Sequence, residues 1–341
     1  MSRPHLAAVV EDRWNTVRGA ILEWRGWRHA VFAHAGYGGP DFLRILARVV
    51  YAPEPEEGMP RGEDRLDLQL QRRGWRNFFT AEALGVEVSV LVGGRRHLTR
   101  TDRSGIVDLR IPNPGLAPGW QEVTFETDRS EPTVGQVLVV AEDQEFGIVS
   151  DIDDTVIRTY LPRPLIAAYH AMVLSEGARQ PVPGMAELYA GLLADHPGAP
   201  TVYVSTGAWN TARSLTRFLA RNGLPAGPLL MTDWGPTNTG WFRSGQDHKR
   251  ACLAALVRDF PRIRWLLVGD DGQHDPDIYG AFSREHPDRV RAIAIRQLQV
   301  SEHVLSHGVP TPRWEDGRPA EVPEVRAPDG QGLGALLRPL L

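Results

Sequence analysis

At 341 residues the chain has room for about two domains, and its 42% hydrophobic and 23% charged content is that of an ordinary globular protein. A formal net charge of −4 excludes a chain-wide basic footprint for nucleic acid. A single cysteine, Cys252, excludes an intramolecular disulfide, and no CxxC or HxH spacing suggests a zinc site.

The opening residues, MSRPHLAAVVEDRW, meet charge too early for a secretory leader, and no apolar run reaches the roughly 20 residues of a membrane span. A soluble cytoplasmic protein is therefore expected. Residues 6–29 place Val9, Val10, Trp14, Val17, Ile21 and Trp24 on one side of a helix, so residues 1–38 are expected to be an N-terminal helical segment. Its interleaved Trp and Arg would suit a membrane surface; packing on the next domain is the simpler expectation.

From residue 40 the pattern turns to short strands. FLRILARVVYA (42–52), VEVSVLV (86–92), RRHLTRTD (95–102), GIVDLRI (105–111), QEVTFET and QVLVVAE alternate apolar residues between turn signals. That spacing predicts an antiparallel β-sandwich domain over 39–145. TRTDRSGIVDLRI reads as a hairpin turning at Asp102–Gly105. Trp75, Phe78 and Phe79 are expected in its core, and the acidic loop PEPEEGMPRGEDR in solvent.

After residue 146 apolar strands alternate with helices. FGIVS precedes the helical patterns PLIAAYHAMVLSEG and GMAELYAGLLADH. TVYVS, the helix TARSLTRFLARNG ended by Gly223, and PLLMTD follow. DHKRACLAALVRDF, with Asp247 as N-cap and Pro261 as stop, leads to IRWLLVG and RAIAI. The prediction is an α/β domain over 146–300, a doubly wound parallel sheet with helices on both faces. Residues 301–341 read as a Pro/Gly-rich C-terminal tail, with GLGALLRPLL docking as a last helical turn.

Ligands of such a sheet bind at the carboxyl ends of its strands. Three strands here end in polar residues: FGIVS in DIDDT, TVYVS in Ser205-Thr206-Gly207, and IRWLLVG in Asp270-Asp271-Gly272. Asp151, Asp153 and Asp154 repel one another and ask for a divalent cation. The plainer alternative is an Asp-rich turn with Asp and Thr155 as helix caps. Ser205 and the GDDG string are, taken alone, ordinary turn residues. Lys249 is the only lysine among 38 basic residues, and it falls early in a helix, where the macrodipole disfavours a cation. A compact ammonium and a guanidinium are poorly interchangeable at a tight site. The ordered set of Asp cluster, Ser, Lys and Asp pair is more specific than any member.

That set resembles the haloacid dehalogenase superfamily of phosphohydrolases across about residues 146–300. FGIVSDIDDTV, PGMAELYAGL, YVSTGAWN, GLPAGPLLMTDWG, HK and LLVGDDGQHDPDIY are similar to the actin-patch type of phosphatidate phosphatase catalytic domain. GYGGPDFLRILARVV, RRGWRNFF and TDRSGIVDL are similar to the β-rich domain that precedes it in bacterial members. The resemblance implies Asp151 as nucleophile, forming an aspartyl-phosphate. It implies Asp153 as general acid and base. Ser205 would bind a phosphoryl oxygen, and Lys249 would offset charge on it. Mg²⁺ would be held by the Asp151 carboxylate, the Asp153 backbone carbonyl and the Asp270 carboxylate, with Asp271 and Asp275 as further metal or supporting groups. Asp154 would only cap a turn. A dehalogenase would need neither the acid Asp153 nor the metal, so phosphate chemistry is favoured.

Only about 45 residues separate Thr155 from Thr201, which leaves room for a small helical lid at 160–180 and no large cap. An open site suits a bulky substrate, a lipid phosphate at a bilayer or a phosphoprotein; phosphatidate comes from the resemblance. Peripheral contact with the inner membrane face would use the front helix or Trp209, Trp234 and Trp241, each of which packing would equally explain. The alternatives are a phosphatase of phosphoproteins or soluble phosphoesters, and a non-catalytic adaptor with a degenerate phosphatase fold.

Overall fold

The computed structural model describes residues 19–53, 81–158, 179–232, 245–272, 274–298 and 321–341. The chain forms two compact units, Met1–Val139 with Asp233–Arg243, and Val140–Thr232 with Ser244–Leu341. Among the described residues no helix is long and apolar enough to cross a membrane.

In the first unit residues 19–24 are helical, Gly26 turns the chain at φ 78°, and strand β1 (Arg28–Gly38) begins inside the segment expected to stay helical through residue 29. The helical side differs too: Leu22 is buried, while Ile21 and Trp24 are 48% and 86% exposed. The strands that follow are β2 (Phe42–Ala52), β3 (Ala81–Glu82), β4 (Glu87–Val92) and β5 (Arg95–Arg100). β6 (Ile106–Pro112), β7 (Gly119–Glu126) and β8 (Thr133–Val139) complete the set. They make one eight-stranded sheet in the order β3-β2-β1-β8-β7-β4-β5, with β6 also on β2. β1 and β8 pair in parallel, and every other pairing is antiparallel.

One expectation is corrected in this sheet. The strands share one hydrogen-bonded sheet, whose β2 residues Leu43, Ile45, Ala47 and Val49 join Val88, Val90, Val123 and Phe125 in a common core. The Asp102–Gly105 turn forms, with Asp102 Oδ1 accepting the Ser104 and Ile106 amides at 2.9 and 2.8 Å. It does not close a hairpin: β5 pairs with β4 and β6 with β2. Turn chemistry sets a local bend, and the partners are chosen by which edge buries more apolar surface. Trp75, Phe78, Phe79 and most of the acidic loop lie outside the described residues.

The second unit holds β9 (Phe146–Ser150), the short pair β10 (Ile157–Arg158) and β11 (Gln180–Pro181), and helix α1 (Met185–Asp195). β12 (Thr201–Ala208), α2 (Ala212–Arg221), β13 (Leu229–Thr232) and α3 (Gly245–Asp259) follow. Then come β14 (Arg264–Asp270), α4 (Asp275–Glu285), β15 (Val290–Arg296), β16 (Glu324–Ala327) and α5 (Gly330–Leu337). The six-stranded sheet runs β13-β12-β9-β14-β15-β16, parallel at every pairing. Counted along the chain this is the order 3-2-1-4-5-6, which reverses direction beside β9 and opens a crevice there. All five residues of β9 are buried, as a strand covered on both faces requires. α1, α2 and α5 bury Tyr189, Leu215 and Leu333 with Ile148, Leu266 and Ala292 of the sheet on one face. α3 and α4 pack on each other and on β12 to β15.

Of the segment expected as a tail, residues 321–341 are described, and they are ordered into a strand and a helix. Residues 324–327 are the sixth strand, and α5 is capped by Asp329, whose side chain accepts the Gly332 amide at 2.8 Å. Leu333 and Leu337 sit in the core at 0% and 1% exposure. The docking of GLGALLRPLL is as expected, though as a full helix held by tertiary burial and a cap with little help from propensity; the strand before it was not expected. Asp247, expected as N-cap of α3, lies inside its first turn. The expected lid at 160–180 falls almost wholly outside the described residues, as do Trp234 and Trp241; Trp209 packs against the core.

Leu333→Ala should therefore cost about 2–5 kcal/mol of stability by urea unfolding, where a loose tail would show next to none.

Candidate active site

The site is built at the carboxyl end of β9. The Asp151 amide donates to Val268 O of β14 at 2.9 Å, which continues the ladder one residue past the strand. Ser150 Oγ donates to Asp151 O at 2.6 Å and meets Tyr189 OH at 2.7 Å, so the peptide that carries Asp151 is pinned. The chain then wraps tightly: Ile152 O accepts the amides of Thr155, Val156 and Ile157 at 3.3, 3.0 and 3.1 Å. Asp154 closes this wrap in the left-handed region at φ 58°, and among the described residues it is the one non-glycine with positive φ.

Three other elements bring groups to Asp151. Asp270 ends β14, fully buried, with Oδ1 accepting the Gly272 amide at 2.7 Å. Asp275 is the first residue of α4, so close to β14 that a Cβ on Gly269 would lie 2.5 Å from its Oδ2. Only glycine fits there. Lys249, on the sheet-facing side of α3, reaches Asp151 Oδ1 at 2.8 Å and makes a short ion pair with Asp275 Oδ1. Thr155 Oγ1 lies 3.3 Å from Asp151 Oδ2 and 3.5 Å from Asp270 Oδ2.

Oxygens of Asp151, Asp270 and Asp275 lie within 4.8 Å of one another, and all three residues are buried. With all three ionised, three carboxylates against one ammonium leave two negative charges uncompensated within the cluster. Burial accordingly pushes the Asp151 carboxyl up to about 8; Lys249 opposes the rise, and Asp275 and Asp153 add to it. Asp270 is raised well above the usual carboxylate range by burial, then by Asp275 and Asp151. Burial alone would lower the Lys249 ammonium, but Asp151 and Asp275 outweigh it and hold it above the ordinary lysine range. The donor set fits a hard divalent cation: it is all oxygen, it lacks two positive charges, and Asp275 Oδ2 is buried without a hydrogen-bond partner.

The remaining residues expected at the site sort as follows. Asp153 is half-buried beside it, with Ser205 Oγ donating to its Oδ2 across 3.5 Å. Ser205 is buried within β12, and its Oγ accepts the Gly207 amide at 3.0 Å. Asp271 turns elsewhere: its Oδ1 accepts the Leu298 amide at 2.8 Å and it is not part of the carboxylate cluster. Asp275, ranked below Asp270 in the sequence, stands on an equal footing with it. Asp154 is the left-handed residue of the wrap, its carbonyl accepting from Arg296 Nη1 at 2.7 Å. Sequence reasoning missed Arg296, Tyr189 and the bridging position of Thr155. Arg296 ends the apolar strand RAIAI just as Asp270 ends its own, a signal lost among 37 arginines.

A buried carboxylate cluster with an embedded lysine, at the switch point of a parallel sheet, is the polar centre expected of an enzyme of the doubly wound class. Residues 146–297 match the model of the family described as phosphatidate phosphatase APP1, catalytic domain. Phosphatidate phosphatase APP1 of Saccharomyces cerevisiae is 27% identical over 152 residues, 44% of this chain and 26% of that protein. An uncharacterised Schizosaccharomyces pombe protein is 22% identical over 160 residues, 47% of this chain and 26% of its own length. The matched region thus spans about a quarter of the length of either relative.

Two outcomes follow. Gly269→Ala should displace Asp275, cost about 1–3 kcal/mol in urea unfolding and weaken divalent-cation binding by calorimetry. Asp151 and Asp270 titrate above their unfolded-chain values, so the folded protein holds the extra protons. Stability from these groups is full below about pH 4, and the Asp151 part is lost as pH rises through about 8. Chelator-treated protein should therefore melt lower at about pH 8 than at about pH 6, and millimolar Mg²⁺ should shrink the difference.

Proposed function

We propose that the second unit is a divalent-metal-dependent phosphomonoesterase working through an aspartyl-phosphate, with a lipid phosphate such as phosphatidate as substrate. The observation that carries this reading is Asp151, its peptide pinned through Ser150 and Tyr189 and its carboxylate ion-paired to Lys249, with Asp153 two residues on and next to Ser205. The sheet order and the position of DIDDT on its first strand support a haloacid dehalogenase-type core. Phosphatidate rests on the name of the yeast relative. Cytoplasmic placement, with peripheral contact at a membrane surface, belongs to the same proposal.

In this mechanism an Asp151 oxygen attacks phosphorus, and the bond from phosphorus to the alkoxide oxygen breaks. Asp153 gives its proton to the departing alkoxide, which is a poor leaving group without it. Water then attacks the aspartyl-phosphate, Asp153 takes its proton, and inorganic phosphate leaves with the Asp151 carboxylate restored. Lys249 offsets the charge of the nucleophile and the phosphoryl oxygens from a position already fixed before substrate arrives. Ser205 is placed to donate to a phosphoryl oxygen. Mg²⁺, with Asp151, Asp270 and Asp275 as carboxylate ligands and the Asp153 carbonyl as a further one, would supply charge neutralisation at the phosphoryl group.

Asp151→Asn should abolish Mg²⁺-dependent phosphate release from p-nitrophenyl phosphate. Asp153→Asn should lower turnover of dioctanoyl phosphatidate by about 10²–10⁴-fold. An active Asp151→Asn protein would remove the nucleophile assignment. Lys249→Arg should lose about 10²-fold or more, because a guanidinium cannot occupy the ammonium's position between two carboxylates. Parallel assays on phosphatidate, lysophosphatidate and phosphopeptides separate a lipid phosphatase from a phosphoprotein phosphatase. Inactivity on all of them, p-nitrophenyl phosphate included, would point to the adaptor.

A further inference from the structure

Arg296 is the largest charged side chain buried without exposure among the described residues of the second unit, and the proposed chemistry makes no use of it. Its guanidinium joins two segments that are far apart in sequence. Nη1 donates to Asp154 O at 2.7 Å, in the wrap that follows Asp151, and Nε donates to Pro328 O at 3.2 Å, between β16 and α5. Its own carbonyl accepts the Asp271 amide at 3.0 Å, and in the sheet it is the register partner of Asp270. The next residue, Gln297, donates its amide to Ala327 O at 2.8 Å.

Asp154 is where such a hold is needed. A left-handed residue with a side chain is unfavourable unless its surroundings over-determine it. The amides of Thr155, Val156 and Ile157 secure the wrap from inside, all through Ile152 O. Arg296 secures it from outside, by a charge-assisted bond to the one non-glycine residue with positive φ among the described residues. Asp151 and Asp153 lie on the approach to this wrap, so its conformation sets where both carboxylates point. A buried guanidinium is costly, and an apolar side chain would fill the same space more cheaply. Arg296 meets part of that cost through the two carbonyls it joins.

We propose that Arg296 is a positioning residue for the DIDDT loop, holding the Asp154 turn so that Asp153 is aimed at the leaving-group oxygen, and making that hold conditional on the docked β16–α5 segment. The kinetic part of this inference rests on the phosphatase reading; the conformational part does not. The second part also gives the C-terminal segment a role, since it lies beyond the matched family region, which ends at residue 297, and carries the Pro328 carbonyl.

The test is Arg296→Met in the full chain, read in two independent ways. Hydrogen exchange by mass spectrometry should show the amides of residues 154–157 exchanging at least about tenfold faster, with β12 unchanged. In kinetics, kcat on dioctanoyl phosphatidate, whose alkoxide needs the Asp153 proton, should fall at least about tenfold further than kcat on p-nitrophenyl phosphate, with KM nearly constant. A merely structural role would lower both substrates equally, and that result overturns the proposal, as does unchanged exchange at the wrap or uniform acceleration across the sheet. If the wild-type chain hydrolyses neither substrate while exchange at the wrap still accelerates locally, the phosphatase reading fails and the hold on the turn stands. Should the Met variant not fold, Arg296→Lys, which keeps the charge but not the fork, is read by the same two measurements with the same outcomes deciding.

Discussion

The Lys249 ammonium, buried between Asp151 and Asp275, is the interaction on which the second unit turns. Removing it would leave three buried carboxylates facing one another without any counter-charge in their cluster, a far costlier state than a missing surface ion pair. Its presence still leaves the cluster two positive charges short. That deficit is the physical reason the cluster could hold a divalent cation. It also explains why the one position that carries lysine in an arginine-rich chain is this one. A compact ammonium fits between two carboxylates that the planar guanidinium fork would push apart.

The fold serves this arrangement by bringing four separate chain segments to one edge of a parallel sheet. Asp151 comes from β9, Ser205 from β12, Asp270 from β14 and Lys249 from α3, and the first three are adjacent strands around the point where strand order reverses. The close approach of α4 to β14 over Gly269 adds Asp275 to the set. Each residue is held by an element with its own apolar anchor, such as Leu253 and Leu256 for α3 or Ile278 and Phe282 for α4. The site's precision is thus inherited from core packing, and its charges are tolerated because that packing is strong enough to hold them.

Much of the second unit was legible in the chain because its signals are local. Apolar runs of strand length ending in Asp or Ser, separated by amphipathic helices, predicted the strands and the polar end of the sheet, and the rarity of lysine singled out Lys249. What stayed hidden depends on contacts between distant residues. Arg296 reads as one arginine of many until its bonds to Asp154 and Pro328 are seen. Asp271 and Asp275 lie four residues apart in one acidic string, yet one bonds the Leu298 amide and the other joins the carboxylate cluster. In the first unit the Asp102 turn was correctly placed, and the pairing of its two flanking strands was not.

The sequence by itself determined the residue types available for chemistry, the two-part organisation, and the strand ends at which polar groups would gather, because hydrophobic period and turn composition are properties of short windows. Tertiary structure alone decided the order of the strands, the place of β16 in the sheet, the left-handed turn at Asp154, and which carboxylates share one pocket. Those outcomes are set by the burial of surfaces and charges against one another, and no window of the chain contains both partners.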